Sequence, residues 1–373
     1  MGKKAFMAAI LLVLLSAMLV GAPHIRAVSK TIVVPDTYPT IQAAINNASE
    51  GDTIFVKKGV YVENPVVNKS VSLVGEDRDA TVIDVTAGLK VESNNVTITG
   101  FTIYDGWAGI SLDANYCNIS GNKITDSTNG IVLFGENNSI TENVFESIGL
   151  SSAIQLNFAN RNLVSNNHID SCVEGIQIWQ NSNNNTVIEN TIIDCQDTAI
   201  NFQYSNDNVI IGNNISRSGL GTSIYGSNRN IISNNNYFYN IGQFGASESY
   251  YLTFGYNRSV NNINGNYWSD YNGTDANGDG IGDIPYIIDA NNKDNYPLMK
   301  PISSIVLVTP SPSVTVSPSP TTTSTPTPSP SPTIEPSPSV PEFPSLMAVS
   351  FLMVATVLTT MFCRGKYGKL KQG

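Results

Sequence analysis

Along most of this chain apolar and polar residues alternate in short runs, and each run stops at Asn, Gly, Ser or Asp. Alternation with a period of two predicts half-buried strands, and those stops predict tight turns. The runs keep register with an asparagine that returns every 21 to 24 residues, at Asn122, Asn143, Asn167, Asn190, Asn213 and Asn235. Each Asn lies between two apolar positions: Ile119 and Ile124, Ile140 and Phe145, Val164 and Ile169, Val187 and Ile192, Ile210 and Ile215, Ile232 and Tyr237. A second strand follows in each unit, beginning at Gly109, Gly130, Ala153, Gly175 and Ala199. A period of this length without a helical stretch excludes βαβ units. It predicts an all-β chain: a right-handed, single-stranded parallel β-helix, or solenoid.

In such a solenoid the repeat Asn points inward at a turn and bonds the Asn one coil above and below, because neutral amides are self-complementary and stack without net charge. Ahead of the repeats, Thr40 reads as the N-cap of a short helix with Ile41, Ala44 and Ile45 on one face, placed to cap the open first coil. Strands at Thr53, Gly59, Val71 and Thr81 supply the opening coils. Cys172 and Cys195 take the same offset in consecutive coils, about 4.8 Å apart, which admits either a disulfide or two stacked thiols.

The ends have a different character. Residues 1–27 carry Lys3 and Lys4, an apolar run and a small-residue close, the pattern of a secretion signal. Residues 28–300 form the solenoid body. Residues 301–344 are rich in Pro, Ser and Thr and predict an extended stalk. Residues 345–363 are apolar and long enough for a transmembrane helix, and the basic tail 364–373 predicts a cytoplasmic end. The body is then expected on the extracellular face of the cell membrane, anchored through its C-terminus. Nine N-x-Ser/Thr sequons fit that placement and predict a glycoprotein.

Only 13% of the 373 residues are charged, and the body carries 13 Lys and Arg against 28 Asp and Glu. A net charge near −15 argues against a nucleic-acid partner. Three groups of residues could carry chemistry. Asp275, Asn277, Asp279, Ile281 and Asp283, within residues 270–289, follow the alternating oxygen pattern of a calcium loop, with Gly280 at the turn. Tyr286 stands where an EF-hand has its closing Glu, so Asp270, Asp289 or Asp294 would complete the shell. Glu174 and Asp197 each follow their repeat Asn by seven, which predicts a carboxylate pair about 5 Å apart, with Asp194 and Arg217 stacked alongside. Trp107, Trp179, Tyr204 and Tyr225 are candidates for stacking on sugar rings.

These repeats resemble the parallel β-helix repeats of NosD-type proteins and of the carbohydrate-binding and sugar-hydrolase group. The stretch from Tyr38 to Ile45 with Gly51 to Val56 is similar to the start of pectinesterase-like β-helices, although that family's catalytic Asp and Gln motifs find no match downstream. Gly265 to Asp270, Asp275 to Asp283 and Asn295 to Leu298 resemble the closing segment of archaeal NosD-like surface proteins. Pro341 to Pro344, ahead of the apolar run, resembles a PEF-type sorting signal. The resemblance implies an archaeal cell-surface protein for recognition of polysaccharide or other envelope glycans, a polysaccharide hydrolase or lyase, or a structural envelope component. The NosD likeness also implies copper, but the body holds one His (His168), one Met (Met299) and three scattered Cys, so calcium is expected and copper is not.

Overall fold

The computed structural model describes residues 29–246 and 259–303, and the signal, stalk, apolar run and basic tail expected above lie outside them. The described residues form an all-β parallel solenoid of about ten turns built from three long sheets. One coil shows the plan: Leu163–Ser165 in the first sheet, His168–Asp170 in the second, Glu174–Trp179 in the third. Each strand pairs in parallel with its counterpart one coil later, so Val164 meets Val187, Ile169 meets Ile192 and Ile176 meets Ile200. His168 opens a strand between Val144 and Thr191.

Inward positions build the core as columns of like residues. Ile119, Ile140, Val164, Val187, Ile210 and Ile232 form one column and are fully buried. β-branched residues suit it because their stiff side chains pack on a pleated surface. The column through Ile192 and Ile215 changes to aromatic at its end. There Tyr237, Trp268 and Tyr286 stack face to face, each neighbouring pair with ring centroids 4.4 Å apart.

The corners are more regular than the strands. Glu142, Asn166, Glu189 and Asn234 each precede a repeat Asn and each has φ between 54° and 58°. A left-handed residue turns the chain sharply enough to leave one strand and enter the next, and it aims the following Asn into the cylinder. The amide columns then form as expected. Asn167 Nδ2 donates to Asn190 Oδ1 at 3.0 Å, Asn190 to Asn213 at 2.9 Å, and Asn213 to Asn235 at 2.9 Å. Each Oδ1 also accepts a backbone N–H from the preceding coil, as from Asn167 N to Asn190.

A second ladder runs parallel to the first through Asn138, Asn162, Asn185, Asn208, Asn230, Asn261 and Asn292. As far as Asn261 its members precede those of the first ladder by five residues. The residue before each of Asn162, Asn185, Asn208 and Asn230 is again left-handed. At the other end, Ile41–Asn47 is helical, with the Thr40 hydroxyl accepting from Ala43 N at 3.1 Å, and buries Ile41, Ala44 and Ile45.

Candidate functional site

The outer face of the third sheet carries two neighbouring columns. Gln155, Gln177, Asn201 and Ser223 form one; Asn157, Trp179, Gln203 and Tyr225 form the other. Strand alternation places both outside because Ile176, Ile178, Ile200 and Phe202 point inward and are buried. Trp179, Tyr204 and Tyr225 border a hollow of about 500 Å³, and Asp197, Asn201, Gln203 and Ser223 supply its polar wall. The rings of Tyr204 and Tyr225 meet edge to face with centroids 4.9 Å apart. Trp107 does not join them: it precedes the strand Ala108–Leu112 several coils earlier and is exposed.

The structure brings Glu174 to the edge of this hollow. Its Oε1 accepts from Asn201 Nδ2 at 3.0 Å and its Oε2 from Ser152 Oγ at 3.0 Å. Burial raises the Glu174 carboxyl above its ordinary value; the two hydrogen bonds pull it back and the charge of Asp197 adds to the rise. The pairing differs from the stacking expected of Glu174 and Asp197. Along the third sheet Ile176 pairs with Ile200, 24 residues on, whereas in the second sheet His168 pairs with Thr191, 23 residues on. The extra residue puts Thr198 on the rung of Glu174, and Asp197 stands just before the strand, its N–H donating to Val173 O at 2.9 Å.

Asp194 and Arg217 do stack. Arg217 Nε donates to Asp194 Oδ1 at 2.8 Å and Nη2 to Oδ2 at 2.6 Å, and the guanidinium holds the Asp194 carboxyl below its ordinary range. Both oxygens of Asp194 are thereby engaged, which leaves it poorly suited to accept a proton from a substrate. The same corner device recurs in Asp207 with Arg229.

In the C-terminal loop Asp275 accepts backbone N–H bonds from Gly278, Asp279 and Gly280 at 2.8 to 3.1 Å, Asn277 accepts from Asp279 N, and Asp279 from Ile281 N. Asp283 accepts from Thr274 Oγ1 and Ala276 N. The acids expected to complete a cation shell are engaged elsewhere. Asp294 is fully buried at the end of the first ladder, Asp289 binds Asn292 at the end of the second, and Asp270 accepts from the Tyr286 hydroxyl. Among the described residues no three His, Cys, Asp or Glu side chains gather as a metal-binding group.

The family described as "Periplasmic copper-binding protein (NosD)" matches residues 45–273, well over half of the chain, and this protein belongs to that family. No curated protein matches the sequence. Among solved structures the chain is similar to the alginate lyase from Paenibacillus sp. str. FPU-7, at 18% identity over 64% of this chain and 94% of that one, with a TM-score of 0.52. It is also similar to a mannuronic acid specific polysaccharide family 6 lyase from human gut microbiota, at 17% identity over 64% of each chain, with a TM-score of 0.52. The chain thus spans under two thirds of that second enzyme. At these identities the likeness establishes a shared fold.

Copper, which the family's description names, can be tested against the donors present. Copper takes imidazole, thiolate and thioether. Cys117, Cys172 and Cys195 are free thiols buried in the core, and burial pushes Cys172 up to about 11 and Cys195 up to about 12, so they are held protonated. His168 opens a strand in the second sheet and Met299 lies beyond the last coil, separate from the cysteines in the chain. The described residues do not fit a copper site.

No helix among the described residues is long and apolar enough to cross a membrane, and residues 345–363 are not among them.

Proposed function

We propose that this protein recognises glycans outside the cell, and that the outer face of the third sheet is the binding surface. The hollow bordered by Trp179, Tyr204 and Tyr225 carries this reading. Sugar rings present flat C–H faces to aromatic rings and hydroxyls to amides and carboxylates, and this surface offers both within one concavity. The columns add a direction. Trp179 and Tyr225 are separated by Gln203, so aromatic residues recur every second coil, about 9.6 Å apart. A saccharide chain laid along the solenoid axis would meet one ring and one amide in turn. The fold shared with two polysaccharide lyases supports the same ligand class by analogy only.

The rest of the chain serves this role. The helix Ile41–Asn47 covers the first coil, a secretion signal sends the body out, and the Pro/Ser/Thr stalk with the apolar run or a PEF-type signal fixes it to an archaeal cell surface. The loop from Asp275 to Asp283 is the calcium candidate: the carboxylates of Asp275, Asp279 and Asp283, now bonded to the loop's own N–H groups and not gathered on one point, would have to converge with the Asn277 amide and the Ile281 carbonyl on the ion, which would then steady the C-terminal coil.

Retention on polysaccharide affinity gels tests the glycan reading. Trp179→Ala should weaken retention at least tenfold while the circular dichroism of the solenoid is unchanged. Equal retention of folded wild type and variant on every polymer would remove the hollow from the argument. A second reading, a polysaccharide hydrolase or lyase, is favoured by the raised carboxyl of Glu174 beside Asp197. Reducing-sugar release by wild type that disappears in Glu174→Gln would establish it.

A further inference from the structure

The surroundings of the hollow also bear on the charge of what it binds. Asp197 lines it directly, and Glu174 approaches through the Asn201 amide that forms part of its wall. The other polar groups used above, Asn201, Gln203 and Ser223, are neutral. No Lys, Arg or His lines the hollow among the described residues. The corner cation Arg217 is already held by both carboxylate oxygens of Asp194, three residues before Asp197. An anion placed here would find the Asp197 carboxylate, with Glu174 behind the Asn201 amide, and no unengaged cation, inside a protein whose net charge is −10. A neutral sugar would find hydroxyl acceptors in Asp197 and in the amide oxygens, and stacking faces in the aromatics.

Resting on the glycan reading, we infer that this site takes an uncharged polysaccharide and rejects polyuronates. The fold likeness to lyases named for alginate and mannuronic acid therefore does not extend to the charge of the ligand. Like charges at close range both weaken binding and slow the encounter, and both effects are strongest at low salt.

The experiment is affinity electrophoresis of the full chain in gels containing an unsubstituted glucan or mannan, polymannuronate, or polygalacturonate. It is run in chelator, so that no divalent ion bridges carboxylates, at low and at high salt. Wild type should be retained by at least one neutral polymer, with an affinity at least tenfold above that for either polyuronate at low salt. The double variant Glu174→Gln/Asp197→Asn should narrow that gap, and Trp179→Ala should abolish retention. Equal or tighter retention by a polyuronate would overturn the inference and leave the glycan reading standing. Retention of the folded wild type by no polymer would overturn both.

Discussion

Asn266 Nδ2 donates to Asp294 Oδ2 at 3.1 Å, and there the first amide ladder ends. Each amide before it gives one hydrogen to the Oδ1 of its C-terminal neighbour and turns the other to backbone carbonyls, as Asn213 does to Asn235 and to Val187 O, so the last one needs an acceptor that asks for no acceptor in return. A carboxylate meets that need, since it only accepts. Asp294 also receives Gly265 N at 2.9 Å, Asn266 N at 2.8 Å, Trp268 Nε1 at 3.1 Å and Tyr296 N at 3.0 Å. Asp294→Ala would strand these buried donors and should destabilise the body by about 3 kcal/mol or more, read from the midpoint of urea unfolding. A midpoint within error of wild type would show that the ladder does not need its terminus.

Within the ladder the direction of the amide matters as much as its presence. Asn190 Nδ2 donates to Asn213 Oδ1, to Val164 O and to Ile188 O. Asn190→Asp would set a carboxylate against those three oxygens, whereas Asn190→Ala removes the donor and leaves Asn167 without its acceptor. We expect Asn190→Ala to cost about 2 to 4 kcal/mol and Asn190→Asp to cost more at neutral pH, both measured by chemical unfolding. Equal costs would argue that only the volume of the side chain counts.

Glu174 gives a pH signature. Its folded-state carboxyl is raised by burial above 4.5, so the native protein holds that proton more tightly than the unfolded chain does. The resulting stabilisation is complete below about pH 4.5 and is lost as pH climbs through the folded value. Glu174→Gln lacks this loss, so its stability should decline less than wild type's between acid and neutral pH. Parallel curves for the two proteins would place Glu174 in a wetter setting than its hydrogen bonds indicate.

The buried thiols bear on the choice between a disulfide and stacked cysteines. Cys172 and Cys195 are free in the core and raised to about 11 and about 12 by burial, with Cys117 raised as well. At pH 8 they hold almost no thiolate, so a thiol reagent should leave all three unmodified in the native state and label them on unfolding. Rapid labelling of native Cys172 or Cys195 would contradict this packing.

Calcium is tested by thermal unfolding with and without a chelator. If the loop from Asp275 to Asp283 takes the ion, chelation lowers the transition by several degrees, and Asp279→Asn removes the difference. An unchanged transition removes calcium from the account.

Much of the cylinder was legible in the residues. Inward positions recur with the strand period, and Asn suits a turn wherever it occurs, so the column through Val164, Val187 and Ile210 and the first ladder followed from local rules alone. The second ladder was missed although its signal was present: Asn138 and Asn143, Asn162 and Asn167, Asn185 and Asn190 keep one spacing of five. In an Asn-rich chain that spacing is hidden among exposed asparagines. Composition likewise does not reveal that Asp289 and Asp294 terminate ladders.

By itself, then, the sequence determined the coil period, the inward faces and the amide stacking, because these depend on side-chain alternation and turn chemistry that act within a few residues. The tertiary structure decided which outward residues meet. Coils differ in length by a residue or two, and each difference shifts the outer register between neighbours. That is why Glu174 shares a rung with Thr198 instead of Asp197, and why Gln203, one residue later in its repeat than Trp179 and Tyr225 are in theirs, still lines up between them beside one hollow.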